Sequence, residues 1–222
     1  MHQQYFVNIN FLVENTYKMN SMKIEKHPLS PFFPDGAKWL FLGSFPPKPQ
    51  RWSMDFFYPN FQNDMWRILG LVFFEDKNHF VNLAEKNFYK EKIINFLTIQ
   101  HIALYDTAQA VIRHKDNASD KDLEIVEAID IEKTIQNLPD LQHIVTTGQK
   151  ASETLIEQFA KKDIQIFPPP IGSNIAFAYE DRTLHLHRMP SSSRAYPLSL
   201  EKKAEIYKRM FLISGLNPTL KK

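Results

Sequence analysis

The sequence predicts an α/β fold: a single three-layer α/β/α domain around a central, mostly parallel sheet. Three observations predict it. Short apolar runs of strand length end in glycine, in aspartate or in a proline-rich loop. Segments with helical spacing and charged outer faces alternate with those runs. Apolar residues make up 43% of the 222 residues, enough for one domain with a substantial core.

Residues 1–21 are polar and interrupted by aromatics. They are expected to be an extension, either poorly ordered or packed on the core as a helix, and Met22-Lys23-Ile24-Glu25-Lys26-His27-Pro28 reads as the natural start of a domain spanning 22–222. Trp39-Leu40-Phe41-Leu42, closed by Gly43, is the first strand. Met65 to Phe74 is an apolar helix with Asn63 near its start. Phe80 to Leu97 has helical spacing with a Lys/Glu-rich outer face. His101 to Asp106 is the second strand. Ser119 to Leu138 predicts a helix capped by Ser119 or Asp120, with Pro139 beyond its end. Ile144-Val145-Thr146-Thr147, ending in Gly148, is the third strand, followed by a helix from Ala151 to Lys162. Ile164 to Phe167 precedes a proline run and predicts an edge strand. Leu184 to Met189 alternates as the last strand. Leu200 to Ile213 is the closing helix, capped by Ser199 and stopped by Gly215.

Composition narrows the function. Net charge is +2, compatible with a nucleic-acid partner without arguing for one. No stretch approaches the roughly 20 apolar residues of a membrane span. Met1-His2-Gln3-Gln4-Tyr5 lacks the basic start and apolar core of a secretory leader, and cysteine is absent, so a cytoplasmic location is expected. Zero cysteine excludes thiolate catalysis and cysteine-held iron–sulfur clusters. Phosphate-loop, dinucleotide-binding and nucleophile-elbow motifs are all missing, and no cofactor is implied. The sequence shows no repeats, and a monomer is the default expectation.

Two segments remain as carriers of chemistry. Gly43-Ser44-Phe45-Pro46-Pro47 leads to Tyr58-Pro59-Asn60-Phe61-Gln62-Asn63-Asp64-Met65-Trp66, and Met189-Pro190-Ser191-Ser192-Ser193-Arg194 lies near the C-terminus. Each follows a strand, and loops leaving the C-terminal ends of parallel strands are where ligands bind in such sheets. Gly43 allows a tight turn. Asn63 either caps a helix or points its amide into a cleft, and Tyr58 is either a packed aromatic or a stacking face. Ser191, Ser192, Ser193 and Arg194 suit phosphate contacts, or form a polar surface turn. Asp106, at a strand end on the same edge, is a site residue or a cap. His185 and His187 fall on one strand face as a conceivable metal pair, but no third ligand stands out and no metal is expected. Asp116-Asn117-Ala118-Ser119-Asp120 lacks the glycine of a calcium loop and reads as a capping turn.

Together the two segments resemble the uracil-DNA glycosylase superfamily, most of all its hypoxanthine-type and mismatch-specific branches. Gly43-Ser44-Phe45-Pro46 is similar to a first motif of the type Gly-x-x-Pro. Asn63-Asp64-Met65-Trp66 is similar to an Asn-x-Phe-Trp element, and Met189-Pro190-Ser191-Ser192-Ser193 to a second motif of the type Leu-Pro-Ser-x-Ser. Ser199 to Tyr207 resembles the final helix of the mismatch-specific branch. The resemblance spans roughly residues 27–213. It implies a monofunctional DNA glycosylase that flips a deaminated base (uracil, hypoxanthine or xanthine) out of damaged duplex or single-stranded DNA. Asn63 would be catalytic, orienting the water that attacks C1′. Tyr58, Asp106, Phe45 and Gly43 would surround the base. Ser191, Ser192, Ser193 and Arg194 would contact DNA.

Two departures stand out. Phe45 stands where some branches carry a catalytic Asp or Asn. Met189 stands where the uracil-specific branch carries a histidine, a role for which His187 is the nearest substitute. These departures favour the alternative, a weak or inactive nucleic-acid-binding protein on the same fold. An unrelated α/β enzyme acting on a nucleoside or a phosphorylated small molecule is the third reading.

Overall fold

The computed structural model describes residues 23–115 and 120–218. In chain order the elements are β1 (Ile24–Lys26), β2 (Trp39–Gly43), α1 (Met65–Phe74), β3 (Val81–Asn82), β4 (Asn87–Phe88), α2 (Lys90–Ile99), β5 (Ile102–Asp106), β6 (Ala108–Arg113), β7 (Leu123–Ala128), α3 (Ile131–Gln136), β8 (His143–Thr147), α4 (Gln149–Ala160), β9 (Ser173–Tyr179), β10 (Arg182–Met189) and α5 (Leu200–Ile213).

The central sheet has five strands in the order β5-β2-β8-β10-β9. The first four run parallel, and β9 pairs antiparallel with β10. Strands β2, β5 and β8 are buried along their whole length, as parallel strands covered on both faces must be. Side chains alternate between the faces. Trp39 and Phe41 meet Phe211 of α5, with ring centroids 5.1 and 6.1 Å away, and Phe211 meets Phe73 of α1 at 5.0 Å. Phe96 brings α2 against Phe73 on the same side. On the other face, Phe159 of α4 packs on Phe177 and Tyr179 of β9. The three layers follow.

A second, antiparallel sheet, β1-β6-β7, grows from the end of β5. Its small core is Ala108, Val111 and Leu123, with Phe45 and Ile125 against it. The free edge of β5 is covered by the N-terminal segment, where Phe32 and Leu104 exchange both backbone hydrogen bonds at 3.0 and 2.9 Å.

Three sequence expectations are corrected. Phe80 to Leu97 is not one helix. It begins as the β3–β4 hairpin, turning through Lys86 at φ 52°, and becomes helical only at Lys90. The expected helix from Ser119 to Leu138 is largely strand β7, because Leu123 and Ile125 find partners on β6; only Ile131–Gln136 is α-helical, capped by Asp130. Ile164 to Phe167 forms no strand, and the antiparallel edge is β9, after the prolines. The closing helix is as expected, with Ser199 Oγ accepting from Lys202 N at 3.3 Å. Ser119 and residues 1–21 lie outside the described residues.

Candidate active site

Strands β2, β5, β8 and β10 all point their C-terminal ends to one edge, and there the two distant loops join. Asn63 and Ser193 form an antiparallel bridge, and Asp64 N donates to Ser192 O at 2.8 Å. The first loop is stitched internally: Ser53 N and Oγ both donate to Pro59 O, and Trp66 Nε1 donates to Phe57 O. Asn63 starts α1, its Oδ1 accepting from Met65 N at 2.9 Å. That bond is an Asx turn leading into the helix, whose cap position is Asp64, and it uses one oxygen lone pair. Among the described residues the Asn63 amide nitrogen has no partner, so it remains an available donor.

Beside the junction, at the ends of β2 and β5, Gly43 and Asp106 are register partners. A side chain at Gly43 would collide with Asp106 Oδ1, so glycine here makes room for the carboxyl to lie across the neighbouring strand. Tyr58 comes down from the first loop with a left-handed backbone, φ 49°. For a tyrosine that conformation carries strain of about 1–2 kcal/mol. Its hydroxyl lies 3.0 Å from Thr147 Oγ1 of β8, and its ring stands edge-on to Trp66. Burial, with the nearby Asp106 charge, pushes the Tyr58 phenol well above its ordinary value, so it stays a neutral hydrogen-bonding group. Ser44 Oγ donates to Asp120 Oδ1 at 2.6 Å, and burial raises the Asp120 carboxyl.

Asp106 has a partner that sequence reasoning missed. His27 Nε2 lies 2.9 Å from Asp106 Oδ2, with both side chains nearly sealed from solvent. The strand before it, β1, pairs with β6, and His27 N donates to Gln109 O at 2.7 Å, which fixes where the ring enters. Phe45, Phe57 and Tyr105 surround that ring at centroid distances of 5.3, 6.3 and 5.0 Å.

The second loop is held from below by α5. Lys203 is fully buried; its Nζ donates to Asp64 Oδ2 at 3.0 Å and to Ser193 O at 2.8 Å. Tyr207 Oη donates to Pro190 O at 3.1 Å. Arg194 remains half-exposed and only approaches Asp64 Oδ1, at 3.4 Å. Ser192 is buried, whereas Ser193 is exposed and Ser191 intermediate.

The remaining expected site residues take other surroundings. Phe45 packs between His27 and the small sheet. His187 is buried with Nε2 3.1 Å from His143 Nδ1, and its ring lies near Trp39, at the opposite end of β2 from Gly43. Burial lowers His187 to about 3 and His143 to about 4, each further lowered by a neighbouring histidine. Both are neutral at ordinary pH. Among the described residues no cluster of three or more metal-ligating side chains is suited to a metal ion, and no helix is long and apolar enough to cross a membrane. A surface groove lined by Asn82, Glu85 and Asn87 to Lys92 shares no residue with the two loops.

Asp64, Lys203 and Thr147 were also missed. Asp64 sat inside a quoted motif, and Lys203 sat on a helix face otherwise occupied by apolar residues, the one signal available for it. No protein-family model matches the chain, and comparison with curated proteins gives no match. Among solved structures, it is similar to the solution structure of a "putative Uracil DNA glycosylase" from Methanosarcina acetivorans, with a TM-score of 0.55 and 20% identity over 86% of this chain and 99% of that one. At that identity the likeness is one of fold. The chain therefore has a uracil-DNA-glycosylase-like α/β fold.

Proposed function

We propose that this protein is a monofunctional DNA glycosylase that removes a deaminated base. The observation that carries the reading is the junction of the two loops at the C-terminal edge of the parallel sheet: the Asn63–Ser193 bridge brings an amide donor, the serine loop and Arg194 beside Gly43, Asp106 and Tyr58. The likeness of fold adds to it.

In this reading Ser191, Ser193, Arg194 and nearby backbone amides hold the phosphates on either side of the damaged nucleotide. The extruded base enters beside Tyr58, and Asp106 reads its edge. Asn63 orients a water. The water oxygen forms a bond to C1′ as the C1′–N bond breaks; the base leaves with the electron pair, and the water's proton passes to the base or to solvent. An abasic sugar remains, and no lysine nucleophile is needed. Phe45 and the buried Met189 supply no acid or base, so the reaction depends on Asn63, on backbone donors and on the ease with which a deaminated base departs.

The test is a panel of duplexes and single strands, each with one uracil, hypoxanthine or xanthine, followed by alkaline cleavage at abasic sites. Product is expected on at least one substrate, and Asn63→Ala is expected to abolish it while leaving DNA affinity intact. Because that change also removes the turn bond to Met65 N, a hydrogen bond of about 1 kcal/mol, folding is checked at the assay temperature. Binding that weakens with salt, without product on any substrate, would instead favour the non-enzymatic nucleic-acid-binding reading, which the apolar setting of Phe45 and Met189 supports.

A further inference from the structure

We propose that His27 is a specificity-determining positioning residue: it fixes Asp106 Oδ1 as a pure hydrogen-bond acceptor, so that the pocket takes a base edge bearing a ring N–H and refuses one bearing a ring lone pair. The inference rests on the glycosylase reading above and deepens it.

The argument begins with His27 Nδ1, which lies 2.8 Å from Leu29 O. Leu29 N donates to the same nitrogen at 3.2 Å, so Leu29 offers the ring a partner in either tautomer. Nε2 lies 2.9 Å from Asp106 Oδ2, and one proton occupies that gap. Whether it sits on the nitrogen or on the oxygen, it is committed to the His27–Asp106 pair, and Oδ1 is left without a hydrogen. Oδ1 lies over Gly43 beside the Tyr58 hydroxyl, facing away from His27. The ring cannot swing aside, because Phe45, Phe57 and Tyr105 enclose it.

The chemistry of the bases supplies the consequence. Uracil carries N–H at N3 and hypoxanthine at N1. Cytosine and adenine, their undamaged parents, carry a lone pair at those same positions. An obligate acceptor therefore favours the deaminated member of each pair. Without His27, Oδ2 loses its partner and nothing holds the carboxyl over Gly43, so the acceptor is no longer fixed at the base edge and discrimination falls.

The experiment measures single-turnover excision from matched duplexes carrying uracil or cytosine, and hypoxanthine or adenine, at one position. His27→Phe keeps the bulk of the ring and removes both nitrogens; the deaminated-to-parent rate ratio is expected to fall at least about tenfold. His27→Gln can still donate to Oδ2, and is expected to hold the ratio within about threefold of the unaltered protein. His27→Leu also removes both nitrogens and serves should His27→Phe fail to fold. Excision by the unaltered protein with an unchanged ratio in His27→Phe, or in His27→Leu where the first does not fold, overturns this proposal and leaves the glycosylase reading standing. So does a ratio in His27→Gln as low as in His27→Phe. No excision by the unaltered protein overturns both.

Discussion

Replacing Lys203 by Met tests how the second loop is held. Lys203 Nζ makes two bonds, to Asp64 Oδ2 at 3.0 Å and to Ser193 O at 2.8 Å, and the side chain has no exposed surface. Methionine fills nearly the same volume without the charge, which strands the Asp64 carboxylate, itself only 7% exposed. Breaking a buried pair from one side costs about 3–5 kcal/mol. Arg194 offsets little of this: its side chain is 52% exposed and stays at 3.4 Å, in the range where such pairs contribute less than about 1 kcal/mol. The expected loss is therefore about 3 kcal/mol, which in a chain of this length lowers the melting temperature by roughly 6–12 °C. Urea unfolding followed by tryptophan fluorescence measures it directly. The double variant Lys203→Met with Asp64→Asn removes both charges and is expected to recover at least about 1 kcal/mol. A single variant within about 1 kcal/mol of the unaltered protein, or a double variant no more stable than the single, would refute this account of the pair.

Three further outcomes are expected. Gly43→Ala drives a methyl into Asp106 Oδ1 and should lower stability by about 1–3 kcal/mol and depress excision more than DNA binding, read by unfolding and by a filter-binding assay. Tyr58→Phe removes the bond to Thr147 and should lose about 1 kcal/mol in urea unfolding while retaining the ring. His143 and His187 are held neutral, near 4 and 3, whereas unfolded histidine protonates near 6.5. Protons then bind the unfolded chain first, so stability is full above pH 6.5 and falls as pH drops toward 4. The limiting slope is about 1.4 kcal/mol per pH unit for each ring, and His187→Gln should flatten it in denaturation series at pH 7, 6 and 5.

The strands of the central sheet were legible because each is a short apolar run ending at a polar or glycine residue: Gly43 after Leu42, Asp106 after Tyr105. The same rule failed where pairing partners decide. Leu123 to Ala128 has helix-compatible charges and becomes a strand only because β6 lies beside it. The two loops were legible as candidates from their composition, but their support was not. His27 meets Asp106 across 79 positions, and Lys203 meets Asp64 across 139, separations over which no local pattern carries a signal. The Asn63 side chain also shows why motif and role differ: its oxygen is tied into the turn before a helix while its nitrogen is left as a donor.

The dependence of both loops on α5 has a consequence for how the chain matures. Tyr207 and Lys203 belong to α5, yet they anchor Pro190, Ser193 and Asp64, so the second wall of the cleft is fastened by residues made after every strand of the sheet. A nascent chain can pair β2, β5, β8 and β10 before α5 has docked, but it presents no finished cleft until the helix closes against α1. The cleft and the core are thereby completed in one step: a chain cut short before Lys203 would bare the face of the sheet that Phe211 covers and leave the second loop without its support.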